Sequence, residues 1–541
     1  ASDVYKRQPP LPIKGSALMV KYFFRRFFRG CISVVIAIAL IMMMVFSWLD
    51  DTLIFAEDEQ YVKLSNNQRT LYMYQKWEEY DYLDYVPYTD WLKQLVASGE
   101  LDEEERSDAA AIGRTPERDS DEVAGYIARF TEEYEALGYT VVRLDAVMAT
   151  PNRVATGGTA SLFAYQNTPL LIRLWNFFTG IFEFDNINYV EENIEDRGLT
   201  FTLYDPAYGG EKFSPAILGD GTFHKYLLYF DNRFPYIHQN FLTMRLGTSY
   251  SVNKGVDAFE TMVQPQGNYV RSTTYYPSGA VQNSADDLHS ATYLAGSREL
   301  NLVYAELYND DYTNVSLVKD SGSRMYYSFI VSIIASALAY MLGLPLGILM
   351  AKKKDTWVDS LGNAYVVLIM AVPGLAYMLM LKAVGNKMGL PTTFSLDNPT
   401  WLMYIMPIAS SAISAIAGEM RWMRRYMVDQ MNSDYVKFAR SEGLSEREIF
   451  TKHIFKNAAI PIVHGIPGSI TGALSGAIIM EQVYLIPGVG GLLVQAIGAY
   501  DNAVIVGVAL FYGVLFIISA IMGDILMAVM DPRISYTSKA R

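Results

Sequence analysis

The feature that most constrains this chain is a set of long apolar runs with almost no charge. The first, Cys31–Leu49, has 19 residues and no charged side chain. At ~1.5 Å per helical residue, such a run can cross about 30 Å of hydrocarbon. Five similar runs follow late in the chain: Tyr326–Met350, Asn363–Val384, Trp401–Met420, Ile462–Ile486 and Ala503–Met530. The sequence therefore predicts an α-helical integral membrane protein with six transmembrane helices.

An acidic insert separates the first apolar run from the second. Residues 50–324 carry 43 acidic and 21 basic side chains, a net charge of −22, whereas the rest of the chain carries +9. Cytoplasmic loops of membrane proteins are enriched in Lys and Arg. We therefore expect the insert outside the cell and the basic remainder inside, and this split argues against nucleic-acid binding.

Basic residues in the loops orient the predicted spans. They follow the second and fourth spans as Lys352, Lys353, Lys354, Arg421, Arg424 and Arg425. We expect a multi-pass plasma-membrane protein, and the positive-inside rule puts these basic loops in the cytoplasm. An even number of spans puts both termini on the same side of the membrane. Both termini are then cytoplasmic, and the large loop between the first and second spans is extracellular.

Patterning along the chain sets the remaining boundaries. Residues 1–18 have no periodicity and are interpreted as a non-native leader. Residues 19–49 hold an amphipathic helix, expected on the inner membrane surface, and then the first span. Residues 50–325 are predicted to form an extracellular α+β domain, and residues 326–541 the core with spans two to six.

The insert contains clear local signals. Ser120–Gly138 has the apolar stripe of an amphipathic helix, with Ser120 as N-cap and Gly138 at the C-terminus. Thr140–Val147, Leu199–Tyr204 and Tyr226–Phe230 read as strands. Pro169–Phe184 is apolar but too short for a comfortable span, so we expect a helix packed on the outer membrane face or on the spans.

The most informative polar stretch is residues 432–461, called here the hinge segment. Tyr435, Phe438 and Ala439 share one face of a short predicted helix, which Gly443 ends by adopting a left-handed conformation. A second short helix is expected to follow.

The second helix of the hinge segment is predicted from its capping residues. Ser445 and Glu448 have the spacing of a capping box, in which each side chain bonds the backbone N–H of the other residue. Pro461 is expected to end this helix where the next apolar run begins. The hinge segment is thus predicted to be a helix–turn–helix held against the membrane.

The run from Phe438 to Pro461 resembles the cytoplasmic EAA loop of ABC-importer membrane subunits, in the longer form found in oligopeptide and dipeptide permeases. Lys437 replaces the glutamate that names the loop, and Phe438 replaces its first alanine. The resemblance implies coupling to a separate ATPase through the matching positions, which are Ala439, Gly443, Leu444, Ser445, His453, Asn457, Ala458 and Pro461.

Two further elements resemble the same family. Glu481 begins a motif, E-x-V-x-x-x-P-G-x-G-x-L, that includes Pro487 and Gly488, and Asp524 begins a pattern that ends at Asp531–Ile534. The resemblance places Glu481, Pro487, Gly488 and Asp524 in the translocation pathway. A carboxylate at membrane depth usually faces a bundle interior or a wet cavity. Packing and helix capping therefore remain open as the alternative interpretation of both acids.

Phe223–Tyr250 resembles the Ami-type oligopeptide permeases of Gram-positive bacteria. The resemblance implies six spans of the ABC-importer permease fold with a large α+β extracellular insertion. It also implies the partners: a second homologous permease subunit, two cytoplasmic ATPase subunits and an extracellular substrate-binding lipoprotein. The peptide substrate and the lipid bilayer complete the set, and no nucleic acid is expected.

No catalytic motif is visible in the sequence. No Gly-Lys dipeptide occurs, so the chain has no P-loop for a nucleotide phosphate, and its five histidines lack metal-ligand spacing. We expect neither catalytic residues nor a metal site nor a cofactor here, with ATP and Mg²⁺ bound by the partner ATPases.

The sequence thus favours a non-catalytic permease subunit that forms half of an oligopeptide pathway. A membrane-anchored extracellular sensor or binding protein is the alternative, although such a protein needs only one or two spans. A secondary transporter is disfavoured because intramembrane charge is scarce and no inverted repeat is visible.

Overall fold

The computed structural model describes residues 14–48, 50–190, 194, 197–231, 236–297 and 302–530. Residues 1–13 of the predicted leader and the Asp531–Ile534 pattern lie outside this part of the chain. Helix α1, Lys14–Trp48, is continuous, so the expected division into a surface helix and a separate span is wrong. Gly30 lies at the expected break, where a Cβ atom would stand 2.9 Å from Ile517 Cγ2. This glycine therefore permits close helix packing and does not end the helix.

The first lobe of the insert spans residues 50–168. Its helices are α2 Glu59–Lys63, α3 Asn66–Glu79, α4 Tyr88–Ser98, α5 Glu103–Ala109 and α6 Asp121–Ala136. Its strands are β1 Leu83–Pro87, β2 Thr140–Leu144, β3 Met148–Thr150, β4 Arg153–Val154 and β5 Ser161–Asn167. An antiparallel sheet of order β1-β5-β2 packs against the helices. The predicted amphipathic helix is confirmed as α6, since Ser120 Oγ accepts from the Val123 N–H at 3.2 Å and Gly138 has a φ of +87°.

Helix α7, Leu170–Gly180, joins the two lobes and packs against α1. Its Arg173 guanidinium lies 3.9 Å from the ring centre of Phe46 and 4.0 Å from that of Tyr82. A cation held between two aromatic faces is attracted by both rings. The prediction of a helix packed on the spans is confirmed, and α7 is not among the helices long enough to cross a membrane.

The second lobe spans residues 181–323 and is mainly β-structure. Its strands are β6 Phe182–Phe184, β7 Gly198–Thr202, β8 Ala216–Asp220, β9 Tyr226–Phe230, β10 Ile237–Gln239, β11 Leu242–Met244, β12 Pro265–Tyr269, β13 Ser272–Tyr275, β14 Val281–Ser284, β15 Asp286–Thr292, β16 Asn314–Leu317 and β17 Lys319–Ser323. Helices α8, Ala258–Val263, and α9, Leu302–Leu307, interrupt them. The largest sheet is antiparallel, of order β10-β9-β8-β7, and β9 has the predicted bounds.

The membrane core follows the insert. Its helices are α10 Arg324–Lys352, α11 Trp357–Ala371, α12 Gly374–Lys387, α13 Ile405–Met431, α14 Asp434–Ser441, α15 Glu446–Glu448, α16 Lys456–Tyr484, α17 Val489–Gly498 and α18 Asn502–Met530. A π-helical stretch, Ile449–Phe455, connects α15 to α16. Helix α10 packs along α13, and α16 packs along α18.

The third predicted span is not one straight helix. It consists of α11 and α12, which meet at a 103° bend. Pro373 lies in the break, where a missing N–H and a fixed φ disfavour a continuous helix. In the described residues, five helices are long and apolar enough to cross a membrane, or six if this bent pair is one span. The α-helical membrane architecture with an α+β insertion is therefore confirmed.

A carboxylate fixes the insert to the core. Asp501 Oδ2 accepts from Ser249 Oγ at 2.6 Å, and from the backbone N–H groups of residues 250, 251 and 252 at 3.0, 3.0 and 3.2 Å. Asp501 is fully buried and directly precedes α18. The insert therefore sits at the α18 N-terminal end of the bundle. The hinge segment lies at the opposite end, where α10 and α13 finish.

Candidate functional site

Helix α14 docks on the core through small apolar side chains. Val436 and Ala439 are buried among Met423 and Met427 of α13. Phe438 was predicted on the same helix face as Ala439, but the structure buries Ala439 and leaves Phe438 63% exposed. Successive helical residues are about 100° apart, so with Val436 at the centre of the buried face, Phe438 must point away from it.

The turn of the hinge segment has the predicted conformation. Gly443 has a φ of +79°. This left-handed backbone conformation is energetically unfavourable for residues with a Cβ atom. Ser445 Oγ accepts from the Glu448 N–H at 3.3 Å, as expected for an N-cap. The Glu448 carboxylate accepts from the Ser445 hydroxyl at 3.0 Å. Arg440 Nε donates to Glu446 Oε1 at 2.8 Å across the turn.

The second half of the hinge segment continues into the membrane without a break. Short helix α15 passes through the π-helical stretch directly into α16, and Pro461 and Pro467 both lie inside α16. The prediction that Pro461 ends the helix was wrong. One proline removes a single ladder bond, and a long helix packed on its neighbours can tolerate that loss. The hinge segment is thus rigidly joined to a predicted span.

The eight positions of the predicted coupling site differ in exposure: two are buried, His453 and Pro461 are half-buried, and four are exposed. Ala439 and Ala458 are buried and hold the hinge segment to the core. His453 is half-buried, and its carbonyl accepts weakly from the Tyr435 hydroxyl at 3.4 Å. The positions that face outward, and so are available to a partner, are Gly443, Leu444, Ser445 and Asn457.

Two aromatic residues extend the outward face. Phe438 and Phe455 are 63% and 39% exposed, and Leu444 is 36% exposed. The exposure of Phe438 was not predicted, and no motif singles out Phe455. The available signal was two large apolar residues within a charged stretch of sequence.

Glu481 is buried in the core, with a residue exposure of 1%. Its carboxylate accepts from Ser328 Oγ at 2.6 Å and from the Gly491 N–H at 2.7 Å. Ser328 Oγ in turn accepts from the Val489 N–H at 2.9 Å. These bonds place a carboxylate at the N-terminus of α17, where the helix dipole favours negative charge. Sequence analysis missed Ser328, which no motif distinguishes from the other serines of its helix.

The corner segment, Leu485–Gly488, turns the chain between α16 and α17. Leu485 has a φ of +57°. Pro487 and Gly488 follow, and a Cβ atom on Gly488 would lie 2.4 Å from the Glu481 carboxylate carbon. The structure therefore brings three predicted pathway residues together, with Glu481 capping α17 below the turn.

Asp524 lies elsewhere in the core, on α18. It forms an ion pair with Arg26 of α1, and the Tyr22 hydroxyl donates to it at 3.2 Å. The sequence had assigned Arg26 to the membrane surface, whereas the structure uses it to join the first and last long helices. Periodicity gives no signal for a pair separated by about 500 residues.

A second ion pair joins two helices near the hinge segment. Arg424 of α13 donates to both carboxylate oxygens of Asp359 of α11, each at 2.6 Å. The sequence had used Arg424 only as an orienting charge. In the described residues, no group of three or more His, Cys, Asp and Glu side chains could hold a metal ion.

A bundle of membrane-crossing helices with an outward-facing hinge between two of them defines a membrane-embedded transport subunit. Residues 343–536 match the family model "Binding-protein-dependent transport system inner membrane component". The chain is 30% identical over 528 residues to the oligopeptide transport system permease protein AmiC of Streptococcus pneumoniae serotype 4, covering 96% of this chain and 99% of that protein. The chain therefore belongs to this family of ABC-importer permease subunits.

Other matches cover a smaller share of the chain. The dipeptide transport system permease protein DppB of Lactococcus lactis subsp. cremoris is 31% identical over 225 residues, covering 41% of this chain and 73% of that protein. A structure of the inward-facing MetNI methionine ABC transporter is 13% identical, covers 38% of this chain and 94% of its own, and has a TM-score of 0.33.

Proposed function

We propose that this chain forms half of an oligopeptide pathway in an ATP-driven importer and transmits ATP hydrolysis through the hinge segment. The observation that carries the proposal is the two-sided hinge segment. Val436 and Ala439 bind it to the core, while Phe438 and Leu444 face outward. Its continuity with α16 supplies a rigid connection from that surface into the membrane.

The similarity to AmiC over nearly the whole chain supports oligopeptides as the substrate class. The partners are then a second homologous permease subunit, two cytoplasmic ATPase subunits that bind ATP and Mg²⁺, and an extracellular lipoprotein that delivers the peptide. The permease itself is non-catalytic. Its own chemistry is limited to shaping the pathway and moving with the ATPases.

The proposed pathway residues act through the shape of the corner segment. Glu481 fixes α17, while Pro487 and Gly488 set the turn above it. Asp524 holds α18 against α1. We assign all four residues to the wall of the pathway, with the two carboxylates positioning helices.

The test of coupling is Gly443→Val in the complex reconstituted with its partners. No atom lies within 4 Å of a Cβ built on Gly443, so the substitution meets no clash and acts only through the left-handed backbone. That conformation costs a non-glycine residue about 1–2 kcal/mol, and a β-branched residue is an outlier there. We expect peptide-stimulated ATP hydrolysis to fall about tenfold or more.

Gly443→Asn is the matched control, because asparagine tolerates left-handed geometry. It should retain most of the stimulated hydrolysis while changing the same position. Co-purification of the ATPases with each variant separates lost binding from lost coupling. Normal stimulation in the valine variant would contradict the role assigned to the hinge segment.

The proposed orientation places both termini and the hinge segment in the cytoplasm. In a Cys31→Ala background, Ser107→Cys on α5 should react with an impermeant thiol reagent on intact cells. Glu442→Cys in the hinge segment should react only after the membrane is opened. Both positions are exposed in the structure, so the reversed pattern would overturn the orientation.

A further inference from the structure

A cavity of about 280 Å³ lies where the second lobe meets the core, and we call it the mouth cavity. Strands β12 and β17 and the first turn of α10 contribute to its walls. Its polar lining residues are Asn253, Thr261, Gln264, Gln266, Lys319 and Arg324. The cavity is too small for a whole peptide, since sites for drug-sized ligands occupy roughly 300–1,000 Å³. It fits one end of a peptide.

The ionisable residues that line the mouth cavity are all positively charged. Lys319 and Arg324 are its only ionisable lining residues, and no carboxylate lines it. Neither cation forms an ion pair with an acidic side chain in the described part of the chain, and the charge that acts on Arg324 over a longer distance is that of the buried Glu481. Two cations with amide and hydroxyl groups around them are suited to a carboxylate, which accepts several charge-assisted hydrogen bonds.

The mouth cavity is connected to the corner segment. Gln266 Nε2 donates to the Pro487 carbonyl at 3.2 Å. Arg324 lies one helical turn before Ser328, and Ser328 binds the buried Glu481. An anion in the cavity therefore contacts the same turn of α10 and the same strand β12 that hold the pathway corner.

We propose that the mouth cavity binds the C-terminal carboxylate of the transported peptide as it enters the pathway. This inference rests on the proposed function and assigns Lys319 and Arg324 as specificity-determining residues of the permease itself. A peptide N-terminus is repelled by the two cations, so the cavity orients the peptide with its C-terminal end toward the corner segment. Selection by the permease then adds to selection by the lipoprotein.

The test compares uptake of tetra-alanine and tetra-alanine amide into proteoliposomes that contain the whole complex and one lipoprotein preparation. Loss of a charge-assisted hydrogen bond typically reduces binding about tenfold or more. Lys319→Gln and Arg324→Gln should each lower uptake of the free acid about tenfold and leave uptake of the amide unchanged. The ratio of the two rates isolates the permease, because the lipoprotein is constant.

Arg271→Gln is the matched control, since Arg271 is an exposed cation between β12 and β13, outside the cavity lining. Both peptides should enter at wild-type rates in that variant. The carboxylate site is overturned if Lys319→Gln and Arg324→Gln lower the uptake rates of both peptides equally, or lower neither. In either case, ATP-driven uptake by the wild type would still support the proposed function. Absence of wild-type uptake overturns both.

A lipid phosphate is also an anion that the two cations could bind, like a peptide carboxylate. A second set of uptake measurements distinguishes the two ligands. The ratio is measured in membranes of phosphatidylcholine alone and of phosphatidylcholine with phosphatidylglycerol. A carboxylate site gives the same ratio in both. If the variants lose activity only with the anionic lipid, and for both peptides alike, the cavity holds lipid and the proposal is overturned.

Discussion

At the scale of single residues, the packing of Glu481 against Gly488 requires that residue 488 has no side chain. A Cβ atom there would lie 2.4 Å from the Glu481 carboxylate, a separation that no packed structure accepts. Gly488→Ala must therefore displace either the carboxylate or the corner segment. Overpacking of this kind typically costs about 1–3 kcal/mol. We expect a lower apparent unfolding temperature for the purified chain in detergent.

Gly498→Ala provides the comparison, since nothing lies within 4 Å of a Cβ built at that position, near the other end of α17. It should leave the unfolding temperature unchanged or raise it slightly, because alanine favours helix more than glycine does. Equal effects of the two alanine substitutions would show that the corner segment is looser than the contacts with Glu481 imply.

Another residue-scale feature is a buried ion pair in the second lobe. His289 Nε2 lies 2.7 Å from Asp205 Oδ2, and the imidazole stacks on Tyr229 at 4.5 Å between ring centres. Burial alone would lower the pKa of His289, but hydrogen bonds and charge interactions with Asp205 and Asp287 outweigh it and raise the pKa to about 9. The imidazolium is therefore the form that the fold prefers.

This pKa predicts how stability depends on pH. The folded pKa exceeds the ordinary value of 6.5, so the stabilisation is complete below about pH 6.5 and is lost as pH rises through about 9. The full difference corresponds to about 3 kcal/mol. The apparent unfolding temperature of the full-length wild type should fall over this window, whereas His289→Gln should start lower and fall less. His238→Gln, which removes another ring stacked on Tyr229, should retain the pH-dependent fall.

At the scale of elements, Asp501 fixes the position of the insert relative to α18. Its carboxylate accepts from three backbone N–H groups and from the Ser249 and Ser251 hydroxyls. Asp501→Asn removes the charge that these donors share, and its amide NH2 group takes the place of Oδ1, which accepts from the Val504 N–H at 3.3 Å. The weakened and lost hydrogen bonds should cost about 1–3 kcal/mol. We expect faster proteolytic cleavage near residues 249–252 while the membrane core stays intact.

Asp397→Asn is the control for that experiment, because Asp397 is exposed in a loop at the same end of the core. Proteolysis of this variant should follow the wild type. An unchanged cleavage rate in Asp501→Asn would mean that the apolar contacts of α8 with α18 fix the insert without the carboxylate.

The elements also show what the sequence could predict. Apolar runs and loop charges located the membrane helices, because both signals are local and long. Capping residues located α6 and the turn at Gly443 for the same reason. By contrast, Pro461 was interpreted as a helix end and residues 19–49 as two separate helices, although helix length at Pro461 and close packing at Gly30 decide these features. The partners of Asp524 and Glu481 come from distant helices, and no local pattern encodes them.

At the scale of the whole molecule, the insert is large enough to do more than connect two spans. Its first lobe presents an ordered acidic surface, since the run Asp102–Glu105 opens α5. Asp102 Oδ1 accepts from the Glu105 N–H at 2.7 Å, and the Glu105 carboxylate accepts from the Asp102 N–H at 3.2 Å. Two of the four acids are therefore structural, and a test of docking must leave them intact.

We predict that this acidic surface guides the lipoprotein to the complex. Glu104 and Asp108 are exposed and take no part in the cap, so the double variant Glu104→Gln, Asp108→Asn removes charge without unfolding α5. Electrostatic steering acts mainly on the association rate and weakens as salt shortens the Debye length to ~8 Å at physiological ionic strength. Association with the full complex in nanodiscs should slow several-fold at low salt and converge with the wild type at high salt.

Glu211→Gln is the control variant, because it neutralises an exposed acid in the second lobe and not on α5. If that variant slows association as much as the α5 variant does, the effect belongs to the net charge of the insert and not to a docking surface. If neither variant changes the rate, the insert acts as a brace through Asp501 and α8. Since steering changes dissociation little, a changed dissociation rate would place the acids inside the contact itself.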